Sequence, residues 1–393
     1  MNHTSSQPSR KASQSRGECH STNPVQSAAD SVLPTQGKYQ TIQLGVDTHG
    51  GQFTFARMID NQGCQPTQKL SPPAFVDFLG KQKTLADRVV MVYEAGPYGY
   101  ALYRQATELG VECLVCAPER LSRGRKRVND KIDAKELLSR LDRHQAGTKT
   151  ALRIITVPTV DQEMKRRLGR ERDTYRKERG RWRGRGRSMF HTLGISRPGK
   201  WWIQTRRTEL LEVVQQRYGQ QVRDQIIAEA ERYLEVMQVV ETKLEELTTA
   251  LREAGKKNAH IRIKGMGHLS MEILDREIVD WNRFKNRRQI GSFTGLCPGE
   301  DSSGDSRMML SIDKCGNPRV RAILTELAWL LPRWQPTYKR LKRWAWVFAP
   351  GKKVSTSAKK KAVTALARQL AVDLWRIRTN RMKAEEMGLK LAA

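Results

Sequence analysis

The chain has 393 residues, 71 of them Lys or Arg and 41 Asp or Glu, giving a net charge of +30 with 38% apolar residues. No run approaches the ~20 consecutive apolar residues of a membrane-spanning helix, and no apolar secretion signal opens the chain. So large a positive excess excludes an ordinary metabolic enzyme and points to a polyanionic partner, above all nucleic acid.

Residues 1–38 are rich in Ser, Gln, Pro and Asn, the composition of a disordered tail. From Tyr39 the pattern changes. Thr41–Val46 predicts a strand ending at Asp47, and Phe53–Met58 a second strand after a turn at Gly50-Gly51. A weaker strand is expected within Gln65–Leu70, and helical spacing covers Pro73–Lys81. Arg88–Tyr93 is a continuous apolar run, the mark of a central strand buried on both faces, and it ends at Glu94. Tyr98–Leu109 predicts a helix closed by Gly110, Val111–Cys116 a strand, and Ile132–His144 a helix. Cys113 and Cys116 form the one C-x-x-C of the six cysteines, read as thiols in a buried strand rather than a metal or redox pair. The order β-β-β-α-β-α-β-α is that of an RNase H-like domain, a mixed α/β sheet flanked by helices.

Residues 161–187 are dominated by charge. A helix is expected to about Arg179, and Arg181-Trp-Arg-Gly-Arg-Gly-Arg187 is expected to form a turn or loose loop. Ile226, Ala230, Tyr233, Met237, Val240, Leu244, Leu247 and Leu251 alternate spacings of four and three, a heptad seam for a coiled coil or a helical hairpin. Gly255 is the expected stop. Ile263–His268 predicts a glycine turn, and helices are expected over Leu269–Ile278, Asn317–Leu331 and Ser357–Arg378, making the last region mostly α-helical.

Charge is distributed unevenly over this plan: +5 over residues 41–158, +10 over 159–210, −4 over 211–255 and +17 over 256–393. Within the near-neutral part stand four acids. Asp47 and Glu94 close strands that neighbour each other in an RNase H-like sheet. Asp130 and Asp133 lie one helical turn apart. Crowded carboxylates repel, and divalent cations with open coordination positions, Mg2+ or Mn2+, would neutralise them. Each acid alone also reads as a turn residue or helix cap. His49 follows Asp47 by two residues and could help at the site, but such a histidine is more often structural, and it is not counted among the site residues.

Gly45-Val-Asp-Thr-His49, Tyr93-Glu-Ala-Gly-Pro-Tyr-Gly99 and Asn129-Asp-Lys-Ile-Asp-Ala134 resemble, in this order, the DEDD transposases of insertion sequences of the one-hundred-and-ten type, including the eleven-eleven subgroup. Lys264-Gly-Met-Gly267, Ile290–Pro298, Ser303-Gly304 and Lys314–Arg321 resemble the family's second block. The likeness runs from about Ile42 to about Trp334, and the N-terminal tail is additional to the family pattern. It implies a RuvC-like catalytic domain (39–158), a basic helical and coiled-coil region (159–255) and a C-terminal transposase domain (256–393). It carries the metal-holding acidic tetrad over to Asp47, Glu94, Asp130 and Asp133, and the catalytic serine to Ser303, with Ser302 and Ser306 open as neighbours. The acids of one domain would then activate the serine of the other at the scissile phosphate.

The resemblance also implies donor and target DNA as substrates, an element-encoded structured RNA guide, a homo-oligomer between dimer and tetramer, and a bacterial cytoplasmic setting at the nucleoid. Arg181, Trp182, Arg183, Arg185 and Arg187, with Trp201 and Trp202 nearby, offer charge and a stacking face for nucleic acid. The bland reading of that tract is a solvated basic face with its tryptophans turned inward. Lys264, Gly265 and Gly267 resemble a phosphate-holding hairpin, and Arg319 and Arg321 are read as further contacts. The competing functions are a RuvC-like structure-specific endonuclease, which would use water in place of serine, and a non-catalytic nucleic-acid-binding protein.

Overall fold

The computed structural model describes residues 38–118, 130–258, 263–303 and 306–392, without the side chains of residues 302, 303, 306, 307 and 309. The N-terminal tail, up to residue 37, lies outside the described residues. The chain divides into two compact units, at Val157 and Pro158.

The first unit holds β1 (Tyr39–Thr48), β2 (Phe53–Ile59), β3 (Gln68–Leu70), α1 (Pro72–Leu85), β4 (Ala86–Glu94), α2 (Ala101–Glu108), β5 (Glu112–Cys116) and α3 (Asp130–Gln145). The sheet order is β3-β2-β1-β4-β5, with β1 antiparallel to β2 and parallel to β4. β1 and β4 are therefore neighbours, as the sequence order implies. Period-two alternation sorts their side chains. Ile42, Leu44, Val46, Val89, Met91 and Tyr93 join the phenylalanine-rich core that includes Phe75, Phe78, Leu102 and Ala106 of α1 and α2. Val90 and Val92 pack on the opposite face with Leu137 and Leu141 of α3. Cys113 and Cys116 are both buried in β5, and burial pushes the Cys113 thiol pKa up, so it is an inert core residue.

Gly45 decides how close α3 comes. A Cβ at Gly45 would lie 2.3 Å from the Leu138 backbone nitrogen and 2.4 Å from the Ala134 carbonyl oxygen. Only glycine lets the helix rest on the strand here. On the same side Gln43 donates from its amide nitrogen to Asp142 of α3 at 3.3 Å.

The second unit contains α4 (Val160–Thr192), α5 (Gln204–Tyr218), α6 (Gln220–Lys257), α7 (His268–Ile278), α8 (Arg287–Thr294), the hairpin β6 (Pro298–Ser303) and β7 (Ser306–Ile312), α9 (Pro318–Trp334), α10 (Ala345–Phe348) and α11 (Thr356–Arg378). Two expectations need correction here. α4 does not stop near Arg179 but runs unbroken through Gly180, Gly184 and Gly186 to Thr192. Glycine costs a helix about 1 kcal/mol, but here packing overrides propensity. A Cβ at Gly186 would strike the buried Trp201 ring at 2.0 Å, and Trp201 Nε1 donates to the Arg183 carbonyl at 2.9 Å. Similarly, α6 passes through Gly255, where a Cβ would lie 2.7 Å from the His268 carbonyl oxygen. That glycine permits a helix contact instead of ending a helix. Within this part, mostly helical as expected, the strands β6 and β7 pair antiparallel.

The heptad seam of α6 is used within the chain. Ala230 and Met237 join Phe190 of α4, Trp201, and Leu210 and Val214 of α5 in one core. Arg172 Nε donates to Thr248 Oγ1 at 2.7 Å and Arg183 pairs with Glu241 at 2.9 Å, so polar contacts flank the seam. Glu277 of α7 is buried and accepts from Nε and Nη2 of Arg170 at 3.0 and 3.2 Å and from Asn317 Nδ2 at 2.9 Å. One carboxylate thus ties α4, α7 and the cap of α9 together.

Candidate active site

Asp47 and Glu94 sit one residue beyond the last parallel pair, Val46 with Tyr93. Alternation gives Asp47 the parity of Gln43 and Gly45, and Glu94 that of Val90 and Val92. Both belong to the face covered by α3, which begins with Asp130 and Asp133 in its first turn. A parallel pair, a glycine contact and a helix start therefore deliver all four acids to one end of the sheet.

The closest grouping is smaller. Ligand atoms of Asp47, His49 and Asp130 lie within 4.8 Å of one another. His49 Nε2 is 3.3 Å from Asp47 Oδ2 and 3.6 Å from Asp130 Oδ1. Glu94 and Asp133 stand outside this set of three. Arg140 of α3 approaches Glu94 at 3.8 Å, and Lys69 of β3 reaches Asp130 at 3.5 Å. Sequence reading set His49 aside and did not foresee Lys69 or Arg140. The available signal for His49 was its place two residues after an acid at a strand end. Nothing local marks Lys69 or Arg140, which arrive from an edge strand and a helix.

Electrostatics agree with a cation site. Burial raises the Asp47 pKa above the ordinary carboxylate value, and the charges of Asp130 and Asp133 raise it further against the pull of His49. Burial also opposes ionisation of Asp130. It is outweighed by the backbone N–H of Asp130 itself, Lys69 and His49, which leave the Asp130 pKa lowered. A half-buried carboxylate facing two like charges is the donor set that a divalent cation stabilises. Asp47, Asp130 and His49 fit such an ion, with Glu94 on the adjacent strand end.

Ser303 ends β6 in the second unit, its backbone paired with Ser306 across the hairpin. Its side chain lies outside the described residues, as do those of Ser302 and Ser306.

A family profile described as Transposase IS116/IS110/IS902 family matches residues 260–343. A putative transposase y4qE of Sinorhizobium fredii is 30% identical over 313 residues, covering 74% of this chain and 75% of the relative. The chain belongs to the IS116/IS110/IS902 family of transposases. A second Sinorhizobium fredii protein, putative transposase y4rJ, is 30% identical over 308 residues, covering 73% of this chain and 76% of the relative. The transposase for insertion sequence element IS1533 of Leptospira borgpetersenii is 24% identical over 305 residues, covering 73% and 84%. Cutting and rejoining DNA is the general activity of such a family. Among the described residues no helix is long and apolar enough to cross a membrane.

Several of the basic residues expected to touch nucleic acid in this family member already have partners in the fold. Arg183 pairs with Glu241 and lies 4.4 Å over the Trp202 ring, while Arg185 lies 4.0 Å over Trp182. Arg187 also covers Trp202, at 5.4 Å, and Arg181 pairs with Glu178. Trp201 is fully buried and Trp182 packs beside Tyr233. The inward reading of these tryptophans describes them better than a bare stacking platform.

Gly265 adopts φ +83° and its absent Cβ leaves room for Trp334. Lys264 is exposed, Gly267 caps α7, and the turn is fastened by Lys264 N donating to the Lys390 carbonyl at 2.9 Å. Arg321 donates to the Thr294 carbonyl at 3.0 Å and Arg319 Nε stands 3.7 Å from Asp173. Both arginines brace helices of the second unit.

Proposed function

We propose that this chain cuts DNA and joins it to a new strand during movement of an insertion sequence, with Asp47, Glu94, Asp130 and Asp133 as metal-holding acids and Ser303 as nucleophile. The observation that carries this reading is the convergence of Asp47, His49 and Asp130 beside the end of the Glu94 strand, in a chain of a transposase family. We read the first unit as an RNase H-like, RuvC-like catalytic domain. Within the second, residues 159–255 serve as the basic helical and coiled-coil region and 256–393 as the transposase domain. Donor and target DNA are the substrates, and an element-encoded structured RNA selects them by base pairing while the protein holds backbone. A dimer to tetramer carries the reaction.

Asp47, Glu94, Asp130 and Asp133 would hold a divalent cation, Mg2+ or Mn2+, which would supply stabilisation of the charge that develops on the reacting oxygens. The chain's own groups do the rest. Lys69 and Arg140 fix the rotamers of Asp130 and Glu94. His49 bridges Asp47 and Asp130 and keeps them at one point. Ser303 Oγ attacks phosphorus and gives up its proton to solvent, while the P–O bond to the departing strand breaks and that strand's oxygen takes up a proton from solvent. The phosphoserine ester keeps the bond energy until an incoming hydroxyl displaces the serine.

The test is a nicked DNA substrate that traps a covalent intermediate. An adduct present in the parent, absent in Ser303→Ala and in Asp47→Ala, supports the reading. Cleavage with full activity in Ser303→Ala and no adduct would replace it with hydrolysis by an activated water, the endonuclease alternative.

A further inference from the structure

The second unit carries a basic groove outside the candidate active site. A cavity of about 320 Å3 is lined by Arg287 and Arg288 at the start of α8, by Arg340, and by Arg368 and Arg376 of α11. A neighbouring hollow of about 380 Å3 shares Arg287 and Arg376 and adds Lys285 and Arg381. A third, of about 400 Å3, shares Arg340 and adds Lys339 and Glu386. Through these shared arginines the three hollows adjoin one another, and together they form a basic groove.

This groove is built, not a chance crowd of surface charge. Asp373 of α11 is fully buried and accepts from Tyr338 Oη at 2.8 Å, Arg340 Nε at 3.0 Å and Arg376 at 3.1 Å. One carboxylate thereby fixes two guanidinium groups in the groove wall. Arg287, Arg288 and Arg368 have no carboxylate within ion-pair distance among the described residues. Five guanidiniums against one buried carboxylate leave the first hollow strongly positive. Holding them together is unfavourable unless an anion joins them. Planar guanidinium forks match phosphate oxygens, and Arg381 lies 4.3 Å over the Trp375 ring, giving the neighbouring hollow a polarised aromatic floor. A small phosphate ester would fill one hollow. Three adjoining basic hollows favour a chain of phosphates.

We infer that this groove holds the phosphodiester backbone of a nucleic-acid strand, with Arg287, Arg288 and Arg368 as the phosphate ligands and Asp373 as the residue that positions Arg340 and Arg376. The inference rests on the reading that the chain acts on nucleic acid and names the surface that does the holding.

The test uses the full chain with Arg287→Glu/Arg288→Glu. Both residues are exposed in the first turn of α8, where acidic side chains favour the helix, so folding is retained. Arg368→Gln is the second variant. Lys243→Glu/Lys256→Glu on α6 applies the same charge change elsewhere. Labelled duplex DNA, single-stranded DNA and an RNA hairpin are titrated by fluorescence anisotropy over roughly 50 to 200 mM salt. The groove double variant is expected to lose about two units of salt slope and about tenfold or more in affinity, and Arg368→Gln about one unit. The α6 control should change little. Loss with duplex alone assigns the groove to DNA, loss with the hairpin alone to RNA, and loss with all three to backbone of either kind. Unchanged affinity and slope for every probe, or an equal loss in the α6 control, would overturn the inference. Failure of the transposase reading is seen separately, as cleavage that survives Asp47→Ala while binding is normal.

Discussion

The carboxylate cluster of the first unit and the arginine groove of the second solve one electrostatic problem with opposite signs. In each, like charges from separate elements are gathered at one place. The acids are gathered by backbone regularity: two parallel strand ends and one helix start. The arginines come from α8, the turn before α10 and α11, and a buried Asp373 orders two of them. A site assembled by strand register leaves a trace in sequence, whereas a site assembled by helix packing does not.

The comparison can be broken at either end. The largest effect is expected for Asp47→Ala, which should lower DNA cleavage on the order of a thousandfold while leaving nucleic-acid affinity as in the parent. Parallel cleavage and anisotropy measurements on one preparation decide it, and cleavage within tenfold of the parent would break the assignment of the cluster as the chemical centre.

Next comes Glu277→Ala, which leaves the half-buried Arg170 and Arg166 without their carboxylate and should cost the second unit about 1.5–3 kcal/mol, read as a lower denaturant midpoint. The same residue sets a pH dependence. Burial works to raise the Glu277 pKa, but Arg170, Asn317 and Arg166 outweigh it and hold it below the ordinary 4.5. Its stabilising contribution is therefore complete above pH 4.5 and is lost as pH falls through the lower folded value. Thermal melts of Glu277→Gln should be flatter than the parent's across that acid range. An identical profile would show that another group governs acid unfolding.

Gly45→Ala sharpens the comparison from the packing side. Its Cβ meets backbone of α3 and should cost about 1–3 kcal/mol. By shifting α3 it should also weaken Mn2+ binding measured by calorimetry, which a substitution in the second unit should not do. The smallest effect belongs to His49→Ala. Its side chain is 61% exposed, so stability should hold, but loss of the bridge between Asp47 and Asp130 should weaken Mn2+ binding about tenfold.

Much of the first unit was readable from residues alone. The apolar run ending at Glu94 and the alternation around Phe53–Met58 gave the strands, and the element order placed β1 beside β4. His49 was underestimated because a lone histidine after an acid is usually structural. The second unit was harder to read. Gly186 and Gly255 look like helix breakers in sequence, yet each sits inside a helix to admit a neighbour. The pairing of β6 with β7 was not expected, because their polar, serine-rich sequence lacks the apolar alternation that marks a strand. The arginine groove gave no signal at all, since Arg288, Arg340 and Arg368 are spaced by dozens of residues.

Taken by itself, the sequence determined the strand and helix order of the first unit, the acids that end its central strands, the heptad seam and the excess of positive charge. Those features are local or periodic, and hydrophobic spacing encodes them directly. Only the tertiary structure decided that the seam of α6 is filled from within the chain, that the glycines of α4 and α6 are contact points, that His49 joins two of the acids, and that five arginines share one groove. These depend on which helices approach and how closely. That closeness is set by the summed packing of many side chains, and no short stretch of residues contains it.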